Sequence, residues 1–224
     1  MDKKTRYNVE KFYYDNHRVN KDGTERGLNI YENNFGKLEG DRFHDPIYND
    51  ENAKYQIYTF GCSWTYGWGV EQTQTFTHLL GDENTAVYNY GAGGTGLDFA
   101  VKTLSEVYIP ESRRQIFIIT VPHYFRRTWF DDNGVLLRAW QVKEKVNINE
   151  YNNYYNFLHN YELLNRFIGR DKIIWGTWDG DLPKKMFDVK FETYDLVKDK
   201  LHPGIESHKR YAEKIKNVLQ NRFK

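Results

Sequence analysis

Residues 115–121 read QIFIITV, a run with almost no polar position on either side of an extended chain. A strand sends alternate side chains to opposite faces, so this one has to be covered on both. A central parallel sheet with helices above and below meets that condition. The chain from Tyr55 onward supplies matching pieces. YQIYTF (55–60) and AVYNY (86–90) are short β-rich runs, each followed by glycine, and KIIWGTW (172–178) reads as a fourth strand. Helical patterns lie between and after them. TQTFTHLLG (73–81) reads as a helix closing on Gly81. LDFAVKTLSEVYI (97–109) places Leu97, Ala100, Val101, Leu104 and Val107 at helical spacing and stops before Pro110. YNNYYNFLHNYELLNRFIG (151–169) reads as a long helix ending at Gly169. GIESHKRYAEKIKNVLQNRF (204–223) reads as a last helix with Ile205, Tyr211, Ala212, Ile215, Val218 and Leu219 inward. Residues 123–148 are less regular, with a loop or an inserted hairpin around DDNG (131–134).

Strand and helix in alternation imply right-handed crossovers between parallel strands. The expected fold is therefore α/β: a three-layer α/β/α sandwich of flavodoxin-like type. Its ligands would bind beyond the carboxyl ends of the strands. At 224 residues the chain suits one such domain, assigned to residues 53–224. Residues 1–52 are polar and aromatic, with DGT at 22–24, GDR at 40–42 and a lone Pro46. They read as an N-terminal extension packed on the domain.

Composition narrows the function classes. The chain carries 32 basic and 31 acidic residues, a net charge of +1, which argues against nucleic acid and anionic membranes as partners. Cys62 is the only cysteine, so no intrachain disulfide or four-cysteine metal site exists. MDKKTRYNVEKFYYDNHRV at the N-terminus has no apolar signal segment, and no stretch nears the roughly 18 apolar residues of a membrane span. The expectation is a soluble, cytoplasmic protein; its oligomeric state is left open. Many of the 18 tyrosines are expected at the surface or along a groove, rings packed and hydroxyls wet.

Three loops after strands hold the residues with chemistry. In FGCSWTYGWG (60–69) a strand stops, Gly61 permits a turn, and Ser63 lands at the sheet edge with its backbone N–H available to an oxyanion; a plain helix cap is the alternative reading. In NYGAGGTG (89–96) four glycines among residues 91–96 let backbone N–H groups approach a ligand. This loop lacks the Lys-Ser/Thr and the glycine spacing of nucleotide-binding loops. In DKLHPG (199–204) an Asp three residues before a His can place both on one turn, with Pro203 suited to the start of a helix. His202 could then deprotonate Ser63 while Asp199 orients the imidazole.

Taken together, these blocks resemble the SGNH hydrolases, the GDSL esterase and lipase superfamily. Gly61-Cys62-Ser63 stands where that family has Gly-Asp-Ser, with Thr65 and Gly67 following. Asn89 through Gly94 matches its second block, and Asp199, His202 and Pro203 match its Asp-x-x-His-Pro block. The resemblance covers residues 55–222 and implies a serine esterase or acyl hydrolase with Ser63 as nucleophile. It implies an oxyanion hole built from Ser63 and Gly94, with Gly93 the neighbouring choice. No cofactor and no metal are implied, and His17, His44, His78, His159 and His208 show no ligand spacing. The substrate would be a small-molecule or carbohydrate ester, O-acetylated sugars being one class. An O-acyltransferase of the same fold and a catalytically weak carbohydrate-binding module are the rivals. The third block departs: TVPHYFRR (120–127) stands where the family has Gly-x-Asn-Asp, a divergence similar to phage-type members. His123, Arg126 or Arg127 could replace the missing Asn as a donor, and packing of His123 among Tyr124, Phe125 and Trp129 is the alternative. Trp64, Tyr66, Arg126 and Arg127 are the expected substrate contacts.

Overall fold

The computed structural model describes residues 53–110, 112, 114–130, 136–137 and 149–223. The assigned N-terminal extension, 1–52, and the DDNG segment lie outside the described residues. The elements in chain order are β1 (Tyr55–Gly61), α1 (Ser63–Tyr66), α2 (Phe76–Leu79), β2 (Thr85–Gly91), α3 (Leu97–Val107), β3 (Gln115–Val121), β4 (Trp129–Phe130), β5 (Leu136–Leu137), α4 (Glu150–Leu164), β6 (Ile173–Thr177), β7 (Val189–Lys190) and α5 (Ile205–Arg222). Five strands form one sheet in the order β2-β1-β3-β6-β7, every pair parallel. β4 and β5 pair antiparallel as a small hairpin apart from it.

β3 is buried at all seven positions, as its unbroken apolar run requires. Alternation then sorts the sheet into two cores. One face carries Tyr58, Phe60, Tyr88, Tyr90, Phe117, Ile119 and Trp175 under α3 and α4. The other carries Ile57, Val87, Ile116, Ile118 and Ile174 under Phe76, Tyr211 and Ile215. The first face is aromatic, and Tyr58 stacks on Tyr88 at 4.8 Å between ring centroids. Many of the described tyrosines are partly or fully exposed, as expected, while Tyr58, Tyr88, Tyr90, Tyr161 and Tyr211 are buried. Tyr211 shows how the hydroxyl is accommodated, lying 3.0 Å from Thr120 Oγ1 in the core. Burial pushes that phenol far above its ordinary pKa, so it stays neutral.

Other differences have local causes. The helix expected over 73–81 is broken at Thr75, whose backbone is extended and whose side chain accepts from His78 N–H to cap α2. The long helix over 151–169 is α-helical only to Leu164 and finishes as a wider turn over Asn165–Gly169. β7 was not anticipated. It is two residues long and is fixed by Asp188, which accepts from Trp175 N–H, Arg170 and Arg222. Those partners hold the Asp188 carboxyl below its usual range against the opposing effect of burial. Among the described residues no helix is long and apolar enough to cross a membrane.

Candidate active site

Strands β2, β1 and β3 run side by side in register, Gly91 beside Gly61 and Gly61 beside Thr120. Their following loops therefore emerge at one carboxyl edge, and the middle one carries Ser63. Cys62 is extended and fully buried; Ser63 opens α1, which Gly67 ends after one turn. Asn89 at the end of β2 ties this turn down. Its side chain donates to Thr65 carbonyl at 3.1 Å and accepts from Gly91 N–H at 2.9 Å. Gly91 itself has no room for a side chain, because a Cβ there would stand 2.2 Å from Tyr66 N.

The imidazole comes from the loop before α5. Leu196 and Pro203 bridge across this loop, and Val197 N–H donates to His202 carbonyl at 3.0 Å. Asp195 anchors its base, accepting from the N–H groups of Glu206 and Ser207 at the start of α5. At the tip, Asp199 Oδ1 accepts from Leu201 N–H at 2.8 Å and His202 N–H at 3.0 Å. Asp199 Oδ2 lies 2.5 Å from His202 Nδ1, and His202 Nε2 lies 2.9 Å from Ser63 Oγ, across 139 positions of sequence. Burial alone would raise the Asp199 carboxyl, but the hydrogen bonds from Leu201 and His202 outweigh it and hold the group below the ordinary carboxylate range. Lys200 between them takes a left-handed backbone with φ of 58°. The indole of Trp68 lies 6.0 Å from the His202 ring.

The glycine loop leaves β2 at the same edge, beside Gly61, whose carbonyl accepts from Ala92 N–H at 2.8 Å. Gly94 has φ of 77°, which a glycine adopts without strain. The backbone N–H groups of Ser63 and Gly94 have no hydrogen-bond partner among the described residues.

The remaining expected residues divide. Trp64 stacks on Trp178 at 4.5 Å and meets Phe191 edge-on, so much of it is core. Tyr66 packs against the aromatic core and sits 6.1 Å from Trp68. Arg126 lies over Trp178 at 5.4 Å. Arg127 is turned to the α3–α4 side, donating to Asn156 and standing 4.0 Å from Asp98. His123 stacks on Phe125 and meets Trp178, and its Nδ1 is 3.3 Å from Asp179 Oδ2. Sequence reasoning missed Asp179, Asp195 and the clamp made by Asn89. No local pattern marks them, because each acts on a segment distant in sequence. A hollow of about 410 Å³ lies at the opposite end of the sheet, between the starts of β1, β2 and β3 and Lys216 and Leu219 of α5 with Phe223 after it. It is remote from Ser63.

No family model matches the chain, and no curated protein matches it in sequence. The chain is similar to solved lipolytic esterases. One is a G-D-S-L family lipolytic protein from Veillonella parvula, 13% identical, with a TM-score of 0.46 over 74% of this chain and 98% of that one. The psychrotrophic esterase EstA from Pseudoalteromonas is 13% identical at a TM-score of 0.45, over 74% and 97%. The acetylxylan esterase Axe2 from Geobacillus stearothermophilus is 13% identical at 0.42, over 74% and 94%. At such values the functional reading rests on the site itself.

Proposed function

We propose that this protein is a serine esterase working through an acyl-enzyme on Ser63. The observation that carries the reading is the continuous Asp199–His202–Ser63 hydrogen-bond chain at the carboxyl edge of the sheet. Its parts have the polarity that acyl transfer needs. The Asp199 carboxylate accepts from Nδ1–H, which leaves the Nε2 lone pair directed at Ser63 Oγ. As Oγ attacks the ester carbonyl carbon, its proton passes to Nε2, and the charge on the carbonyl oxygen is met by the N–H groups of Ser63 and Gly94. Nε2–H then protonates the departing alkoxide, leaving an acyl ester on Ser63. Water repeats the sequence in reverse, giving its proton to Nε2 and releasing the carboxylic acid. Throughout, Asp199 stabilises the transient imidazolium without itself taking the proton.

The test is hydrolysis of short-chain 4-nitrophenyl esters by the full chain and by S63A and H202A. Turnover by the wild type, with each variant lower by about 10⁴-fold or more, is the expected result. Equal rates for all three would remove the proposal. Labelling of the wild type but not of S63A by a fluorophosphonate separates an enzyme from a mere binding module.

A further inference from the structure

A second carboxylate–imidazole pair stands at the same sheet edge, and the reaction above does not use it. His123 follows β3 and Asp179 follows β6, and these strands are neighbours, with Val121 beside Thr177. Asp179 is 3% exposed, and its carboxylate accepts from the N–H groups of Tyr124 at 3.3 Å and Asp181 at 2.9 Å. The same Oδ2 lies 3.3 Å from His123 Nδ1, while the imidazole side chain is 33% exposed. The ring lies flat on Phe125 at 4.8 Å and meets Trp178 edge-on at 4.1 Å. Phe125 is half exposed, and Trp178 in turn stacks on Trp64, the residue after the nucleophile. The result is an imidazole held beside a buried carboxylate, walled by aromatic rings, in the loop after β3, the strand next to the one that leads to Ser63.

The anchoring decides what the outer nitrogen can do. The contact with Asp179 is attractive only when Nδ1 carries the proton. In the neutral ring Nε2 is then a lone pair, and no partner for it exists among the described residues. A lone pair repels an oxyanion and attracts a hydroxyl. We infer that His123, oriented by Asp179, is a subsite that accepts a hydrogen bond from a hydroxyl on the alcohol portion of the ester, and that Phe125 and Trp178 form an apolar ledge beneath it. Apolar walls around a few placed polar groups are the usual construction of a small-molecule site. Arg126 over Trp178 brings further donors to the ledge. The substrate class that fits is a hydroxyl-rich ester such as an O-acylated sugar. This inference rests on the ester reading of Ser63 and adds which part of the substrate faces β3.

The experiment compares three acetate esters: 4-nitrophenyl acetate, a mono-O-acetylated methyl glycoside, and the same glycoside with its free hydroxyls methylated. Wild type is measured beside H123F, H123Q and D179N. The expected result is a drop of about tenfold in kcat/KM for H123F on the hydroxylated glycoside, the worth of one good hydrogen bond. The other two esters should be unaffected. H123Q, which keeps an acceptor oxygen, should recover part of the loss. D179N should lower the same selectivity in the wild-type background and do nothing further in H123F, which distinguishes positioning of the ring from general support of the fold. Unchanged selectivity in both H123F and D179N overturns the inference. Equal losses on all three esters also overturn it, assigning His123 to the oxyanion instead. If the wild type cleaves none of the esters, the ester reading itself falls and the subsite falls with it.

Discussion

The two Asp–His pairs differ in how their geometry is made. Asp199 and His202 share one turn, and the carboxylate binds the backbone N–H groups of Leu201 and His202 as well as the ring. That pair is assembled by its own loop and needs the sheet only to bring Ser63 beneath it. His123 and Asp179 come from loops after two different strands and meet because β3 and β6 are adjacent. The first pair aims at a side-chain oxygen of the protein; the second has no partner at its outer nitrogen among the described residues and lies beside a tryptophan stack. A carboxylate–imidazole pair is thus not a reaction by itself. What stands at the far nitrogen decides whether it moves a proton or holds a ligand.

Substitutions can break this contrast. The largest effect is expected from D199N, which favours the wrong His202 tautomer and should lower kcat by about 10⁴-fold on every ester. D179N should leave 4-nitrophenyl acetate untouched. If D179N cut that rate as deeply, the two pairs would be doing the same work. A smaller effect is expected on stability. D199A removes the acceptor of two backbone N–H groups at a partly exposed turn and should cost about 0.5–1.5 kcal/mol in chemical denaturation, because the first pair builds its own turn. Smaller still is K200G, which relieves the left-handed strain of Lys200 and should raise stability by up to about 1 kcal/mol; a loss would show that the lysine side chain holds the turn. The smallest is a pH effect. The Asp199 carboxyl is depressed on folding, so its contribution is complete above the ordinary carboxylate range and vanishes as pH falls through the depressed value. The difference in Tm between wild type and D199N should be constant above about pH 5 and close below about pH 4, as read by thermal melts.

The same contrast explains what could be read from the chain. Ser63 after a strand and a glycine, and an Asp three residues before a His, are local patterns, so the loops that hold them were visible in sequence. β3 was legible for a similar reason, its apolar run fitting only a strand covered on both faces. His123 was singled out but its partner was not, since nothing near Asp179 in sequence marks it. β7 is too short to show alternation and depends on Asp188 meeting Arg170 and Arg222. Composition could not say which tyrosines go inside, because that depends on a partner such as Thr120, against which Tyr211 sets its hydroxyl. Asn89 was noted as part of a motif, yet its task of pinning α1 appears only once β2 lies beside β1.

The close approach of Gly91 to Tyr66 N seats the serine's half of the site. With a strand backbone pressed against the helix that bears it, the serine shifts only if the sheet shifts. The loop that bears the imidazole is held in the same way, since a Cβ at Gly69 would stand 2.6 Å from Val197 Cγ2. A side chain at Gly91 would displace Ser63 and one at Gly69 would displace the His202 loop, so each half of the pair is seated on a glycine.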